Sequence, residues 1–168
     1  MKVDFIPVLM LSVLACITAW TDIKYRKIYN KVLVPAWALA LIWHGLNGMW
    51  LDSLKASGLA FFLFFLVYMM NLTSAGDVKY FAVLGAVMAS VQTVVLSFLT
   101  YTVMYLAVAV YAGMKSVKWN IPAFFVLLKR DAFAFMARSG PVMEPVRFPA
   151  AVLISISVII GVIGEVMR

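Results

Sequence analysis

Charge is scarce in this 168-residue sequence. Charged residues make up 12% of the chain, hydrophobic residues make up 65%, and the mean hydropathy is +1.03. A soluble domain usually carries about a quarter charged residues, so this chain has too little polar surface to cover a globule. The composition therefore excludes an ordinary soluble domain and indicates a chain that folds in lipid.

Cysteine and histidine are nearly absent, with one of each at Cys16 and His44. A single thiol allows neither an internal disulfide nor a cysteine-based zinc cluster, and a lone histidine argues against a metal site. We expect Cys16 to pack in the core and His44 to lie at the membrane interface near the outer end of a helix. No metal and no cofactor are expected.

The apolar runs predict an all-α integral membrane protein with six transmembrane helices in a single domain. The predicted spans are 5–21, 32–50, 55–73, 80–92, 93–113 and 149–167. The stretch 80–113 is divided because one helix of that length would be about 50 Å long, far thicker than the hydrocarbon core. A tight turn near Ala89-Ser90-Val91-Gln92 is expected to separate its two halves.

Basic residues predict how these helices are oriented. The loop 22–31 and the segment 114–148 together hold ten of the fourteen Lys and Arg residues, so both are expected to face the cytoplasm. Six crossings then place both termini outside, in a multi-pass protein of the cell inner (cytoplasmic) membrane. We interpret 114–148 as an amphipathic segment on anionic lipid headgroups, and we expect no nucleic-acid partner. The first apolar run lacks a small-residue cleavage site and is expected to be a retained helix.

Two of the seven acids, Asp22 and Asp77, fall at predicted cytoplasmic helix ends beside apolar runs. Either alone would be explained as a solvated flanking charge or a helix cap. Two on the same side favour a functional pair. Carboxylates near 3 Å apart share one proton, so that one takes a proton from water while the other donates to a carbonyl oxygen.

Three neighbours of these acids are candidates for supporting them. Gly76 would permit close approach of a substrate backbone or a positive φ, although it could be an ordinary loop glycine. Lys24 and Lys79 each lie two residues after an aspartate. They could favour the ionised carboxylates, but anchoring of helix ends at the interface is the preferred interpretation.

Two segments carry a resemblance to a known family. The segment Asp22-Ile23-Lys24-Tyr25-Arg26-Lys27-Ile28-Tyr29-Asn30 resembles the D-x-x-x-R-x-I-P-N motif of prepilin peptidases, with Tyr29 in place of the proline. Ser74-Ala75-Gly76-Asp77-Val78-Lys79, followed by Leu84-Gly85, resembles their G-x-G-D-x-K motif and its later glycine, with Ser74 in place of the first glycine. The order of elements matches through nearly the whole chain.

The resemblance implies a GxGD-type intramembrane aspartyl protease with Asp22 and Asp77 as its catalytic aspartates. It also implies substrate-binding or site-supporting roles for Gly76, Lys24, Lys79 and Asn30. The partners would be prepilin or pseudopilin precursors, whose basic leader is removed at the cytoplasmic membrane border. The chain lacks the cysteine-rich methyltransferase insertion of larger members, which is similar to the short form serving tight-adherence (Flp-type) pili.

Two other classes of function remain open from the residues alone. A small proton-coupled transporter would use carboxylates as proton relays, but acids deep in the spans and repeated broken helices are not visible in the sequence. In a non-catalytic membrane assembly subunit, both aspartates would be merely interfacial.

Overall fold

A computed structural model describes residues 5–25, 27–70, 72–123, 125–126 and 150–166. In that part of the chain there is no β-strand, and the architecture is all-helical. The six long helices are α1 (Phe5–Tyr25), α2 (Asn30–Leu46), α3 (Trp50–Met69), α4 (Ala75–Met88), α5 (Val91–Ser116) and α6 (Ala150–Val166). Each overlaps one of the six spans predicted from the sequence.

Among the residues that the structure describes, three helices are long and apolar enough to cross a membrane: Ile6–Tyr25, Trp50–Met69 and Val91–Ser116. The apolar stretch Ala150–Gly164 of α6 is shorter. The protein is thus a helical, multi-pass membrane protein. Most of the predicted amphipathic segment 114–148 lies outside the described residues, as does the proline-bearing approach to α6.

The described residues form two compact units. One contains α1 to α4, the first part of α5 up to Tyr101, and α6. The other begins at Thr102 and contains the rest of α5. Both motif aspartates belong to the first unit.

The core of the first unit is built around α4, which is almost completely buried. Its aromatic ring Phe81 stacks on Phe64 of α3, with ring centroids 4.2 Å apart. On the same helix, the absence of a side chain at Gly85 allows α3 to lie close to α4. A Cβ at this position would lie 2.7 Å from the Ala56 carbonyl oxygen and 2.8 Å from the Ala60 Cβ, which is too close. Small residues at the α3–α4 interface therefore hold the two backbones together, as is usual between membrane helices.

The helix α4 ends inside the protein, and its last carbonyl groups are satisfied by other helices. Its 14 residues make it about 21 Å long, shorter than the roughly 30 Å hydrocarbon core. The chain turns at Ala89, which has a φ of 49° and donates its N–H to the Gly85 carbonyl. Ser53 donates to the Ala86 carbonyl at 2.7 Å, and His44 Nε2 lies 3.0 Å from the Val87 carbonyl.

Two expectations about single residues were wrong. His44 is 5% exposed and is buried against the end of α4, because a short central helix leaves a carbonyl group that needs a donor in the interior. Cys16 is exposed on α1, where it does not pack in the core. An apolar run that faces lipid and one that faces protein have the same composition, so the sequence did not distinguish the two faces of α1.

Candidate active site

The first turn of α4 holds Asp77 in a fixed orientation. Ser74 is the N-cap of the helix, and its hydroxyl accepts the Asp77 N–H at 3.3 Å. In return, the Ser74 N–H donates to Asp77 Oδ2 at 2.9 Å, which completes a capping box. The Thr73 hydroxyl donates to the same oxygen at 2.8 Å. Ser74 therefore takes part directly in holding the aspartate.

Only one oxygen of the Asp77 carboxylate is used in this anchoring. Oδ2 accepts both hydrogen bonds, whereas Oδ1 makes none within the described part of the chain. The residue as a whole is 5% exposed. A carboxylate with one anchored oxygen and one unengaged oxygen is oriented but can still exchange a proton with a neighbour.

The carboxylate of Asp22 is held by the first turn of a different helix, α6. It lies near the end of α1 and is partly buried, and its Oδ2 accepts the backbone N–H of Ala151 at 3.0 Å. Ala151 is the second residue of α6, so this N–H is one of the donors that α6 cannot satisfy internally. The carboxylates of both aspartates thus lie at helix N-termini, that of Asp77 at the start of α4 and that of Asp22 at the start of α6, where the helix dipole favours negative charge.

The two helix starts lie at the same level of the bundle. Tyr80 is the sixth residue of α4 and Ser155 is the sixth residue of α6, and their hydroxyl oxygens lie 2.7 Å apart. Asp22 binds the N–H of Ala151, one helical turn before Ser155 on α6. Asp22 and Asp77 therefore lie at the same end of the first unit, on neighbouring helices.

The two motif segments are in direct contact. Lys79 Nζ donates to Asn30 Oδ1 at 3.4 Å, joining the start of α4 to the start of α2. Gly76 faces Ile28, whose Cβ would lie 3.5 Å from a Cβ at position 76. Gly76 lies within helix α4, so the positive φ considered for it is wrong, and a Cβ at this position would make only ordinary van der Waals contacts. The helix begins at Ala75 because Ser74 caps it, which leaves no loop conformation at Gly76.

Lys24 lies apart from the Lys79–Asn30 contact, at the surface of α1. Its Nζ is 5.9 Å from the centroid of the Trp20 ring and 5.2 Å from that of Tyr25. A cation beside exposed aromatic rings is typical of a helix end at the membrane interface. This geometry agrees with the interfacial interpretation of Lys24.

A mostly apolar groove of about 450 Å³ runs between α2, α3 and α4. Asn30 and Lys79 line its polar end, and Trp37 and Leu54 lie among the apolar side chains farther along it. Gly58 leaves part of the groove open, because a Cβ there would meet nothing within 4 Å. On α4 the groove is lined by Lys79, Ala82 and Val83, and Asp77 does not line it.

Sequence reasoning missed three residues at this end of the bundle: Thr73, Tyr80 and Ser155. Thr73 could have been found as the residue next to the N-cap. The other two are hydroxyl-bearing residues inside apolar runs, and they are 75 positions apart in the chain. Within the described ranges, no group of three or more His, Cys, Asp or Glu side chains could hold a metal ion.

The arrangement of these segments can be compared with known proteins. No curated protein and no solved structure matches the chain. The model of the type IV leader peptidase family matches residues 9–112, which is more than half of the sequence and includes both aspartate motifs. The chain that builds this helical site is therefore a peptidase that belongs to the type IV leader peptidase family.

Proposed function

We propose that this chain is an aspartyl endopeptidase that removes the basic leader from type IV prepilin or prepilin-like precursors at the cytoplasmic border of the inner membrane. The observation that carries the proposal is the placement of Asp22 and Asp77 at two helix starts on one level of the bundle. Family membership supports the substrate class.

The proposed reaction uses the two carboxylates as one acid–base pair. The ionised member takes a proton from water while the water oxygen attacks the carbonyl carbon of the scissile peptide bond. The protonated member donates its proton to the carbonyl oxygen, giving a tetrahedral diol. As this intermediate collapses, the C–N bond breaks and the leaving nitrogen receives a proton from the carboxylate that had taken one from water. One hydroxyl of the diol returns its proton to the other carboxylate as the new carboxyl group forms. The leader gains a carboxyl terminus, the mature protein gains an amino terminus, and the pair returns to its starting protonation.

The anchoring of the carboxylates supports this chemistry. Hydrogen bonds from Thr73 and Ser74 hold Asp77 Oδ2, which leaves Oδ1 available for proton transfer. Asp22 is held by an N–H at the start of α6. A pair that is oriented before the substrate arrives loses less free energy to reorganisation during the reaction.

The groove between α2, α3 and α4 is the proposed position of the apolar substrate segment that follows the cleavage site. Most of its lining is apolar, and Lys79 and Asn30 lie at its polar end. Small residues such as Gly58 and Ala82 line it, and such residues allow another helix to approach closely.

A purified assay tests the function directly. The protein in detergent is mixed with a purified prepilin, and the masses of both products are measured. We expect one cut between the basic leader and the apolar segment, with no covalent adduct on the enzyme. An uncut prepilin, or a cut that requires an added protease, would refute the proposal.

Photo-cross-linking tests the groove with two adjacent residues of the same type. Phe61 lines the groove, whereas its exposed neighbour Phe62 does not. A photoreactive phenylalanine analogue at position 61 is expected to capture prepilin, and the same analogue at position 62 is expected to capture mainly lipid. Equal capture of prepilin at the two positions would show that the substrate does not use the groove.

A further inference from the structure

The Tyr80 hydroxyl contacts α6, the helix whose start binds Asp22. Its oxygen lies 2.7 Å from Ser155 Oγ on α6. Both residues are buried, with Tyr80 0% exposed and Ser155 8% exposed. The contact between these two hydroxyls is therefore a buried junction between α4 and α6 in the interior of the first unit.

The junction lies one helical turn from residues that carry or bind a catalytic carboxylate. Ser155 lies one turn after Ala151, whose N–H binds Asp22. Tyr80 itself lies one turn after Asp77 on α4. Each of these one-turn separations corresponds to about 4.5–6 Å of rise along its own helix axis.

The direction of the hydrogen bonds makes the hydroxyl of Tyr80 necessary. Ser155 Oγ donates to the Ala151 carbonyl at 2.7 Å. A serine hydroxyl has one proton, so Ser155 has already used it within α6. Tyr80 must therefore supply the proton for its contact with Ser155. A phenylalanine at position 80 would fill the same space but could not donate.

We propose that the Tyr80 hydroxyl is a positioning group, which fixes α6 against α4 and thereby sets the separation of Asp22, which is bound at the start of α6, from Asp77. Ser155 is its partner in this role, because the same side chain contacts Tyr80 and the carbonyl of the residue that binds Asp22. The inference rests on the proposed function for its effect on catalysis. Its effect on geometry is independent of that function.

Kinetics of prepilin cleavage test the catalytic effect. In Tyr80→Phe we expect kcat to fall by about tenfold to a hundredfold, since a misplacement of about 1 Å can cost that much. KM is expected to stay within about twofold, because the groove is unchanged. Ser155→Ala should lose a similar factor, and the double variant should lose no more than either single one, because both changes break the same contact.

Tyr101→Phe is the matched control. Tyr101 is also a buried tyrosine of the first unit, 3% exposed, and its ring centroid lies 4.8 Å from that of Phe64 on α3. This variant should keep the kcat of the wild type. A similar fall of kcat in Tyr101→Phe, or losses that add up in the double variant, would overturn the positioning role.

A distance measurement separates this inference from the peptidase function. Spin labels are attached through Ile23→Cys and Ala75→Cys in a Cys16→Ser background, so that both aspartates are retained. Ile23 and Ala75 are exposed and flank the two aspartates. Tyr80→Phe and Ser155→Ala should broaden or shift the label–label distance distribution, and Tyr101→Phe should not. An unchanged distribution in Tyr80→Phe would refute the inference even if prepilin is cleaved, whereas a changed one would support it even if prepilin is not the substrate.

Discussion

At the scale of single residues, the structure gives Ser74 a clear physical role. It replaces the first glycine of the family motif, and it acts as the N-cap whose backbone and side chain both bind Asp77. The backbone donor is available to any residue except proline, so the serine adds only the hydroxyl half of the capping box. Serine and glycine can therefore both supply the backbone N–H that binds Asp77 from this position.

The capping role of Ser74 leads to a prediction about stability. Ser74→Gly should lower the free energy of unfolding by only a few tenths of a kcal/mol, whereas Ser74→Ala should lower it by about 1 kcal/mol, because glycine is tolerated at an N-cap and alanine is not. Denaturant titration of the purified protein in micelles measures both changes. A larger loss for the glycine variant than for the alanine variant would contradict the assigned cap.

At the scale of helices, the contact between α3 and α4 depends on the absence of a side chain at Gly85. Gly85→Ala would place a Cβ 2.7 Å from the Ala56 carbonyl oxygen, and a backbone atom in a packed helix cannot move aside cheaply. We expect this substitution to destabilise the protein by about 1–3 kcal/mol.

Gly58 on α3 provides the control, since a Cβ there meets no atom within 4 Å. Gly58→Ala should be neutral or stabilising by about 0.5–1 kcal/mol, because alanine loses less backbone entropy in a helix interior. The unfolding midpoints of the two variants are compared in the same micelles. If Gly58→Ala destabilises as much as Gly85→Ala, close packing at Gly85 is not the cause.

The helices themselves could be predicted from the sequence because apolar runs separated by polar residues determine where membrane helices begin and end. Length alone indicated the break at Ala89, since the hydrocarbon core limits a helix to about 20 residues. The interior contacts could not be predicted in this way. Tyr80 and Ser155 are 75 positions apart, and a hydroxyl in an apolar run has no local signal that reveals its partner.

The candidate site was predictable to the extent that it is local. Asp22 and Asp77 stand out because acids beside apolar runs are costly. The anchoring of Asp22 by Ala151 was not predictable, because it depends on how α1 and α6 pack. His44 was assigned to the interface for a related reason: its polarity was visible, but the carbonyl that it contacts at the end of α4 was not.

At the scale of the whole molecule, the distribution of basic residues predicts a sidedness that can be measured. In a Cys16→Ser background, single cysteines are introduced by Lys27→Cys, in the loop before α2, or by Asn47→Cys, in the loop after α2. A membrane-impermeant maleimide added outside intact cells should label position 47 and leave position 27 unlabelled. Labelling at position 27 from outside would place the aspartates on the wrong side for a cytoplasmic leader.

The central claim is that Asp22 and Asp77 act together as the catalytic pair, and processing of a co-expressed prepilin by single Asn variants tests it most directly. Asp22→Asn and Asp77→Asn keep the size of the side chain but remove the titratable group. Asp52→Asn is the control, because Asp52 is an exposed acid on α3 that pairs with Lys55 at 3.7 Å. All three variants should insert into the membrane in equal amounts.

The account predicts that Asp22→Asn and Asp77→Asn each slow leader removal by at least about a thousandfold, since residues that act as one unit are each indispensable. Asp52→Asn should process prepilin at the wild-type rate. Leader removal that persists in either Asp22→Asn or Asp77→Asn, with the protein correctly inserted, would contradict the two-aspartate mechanism.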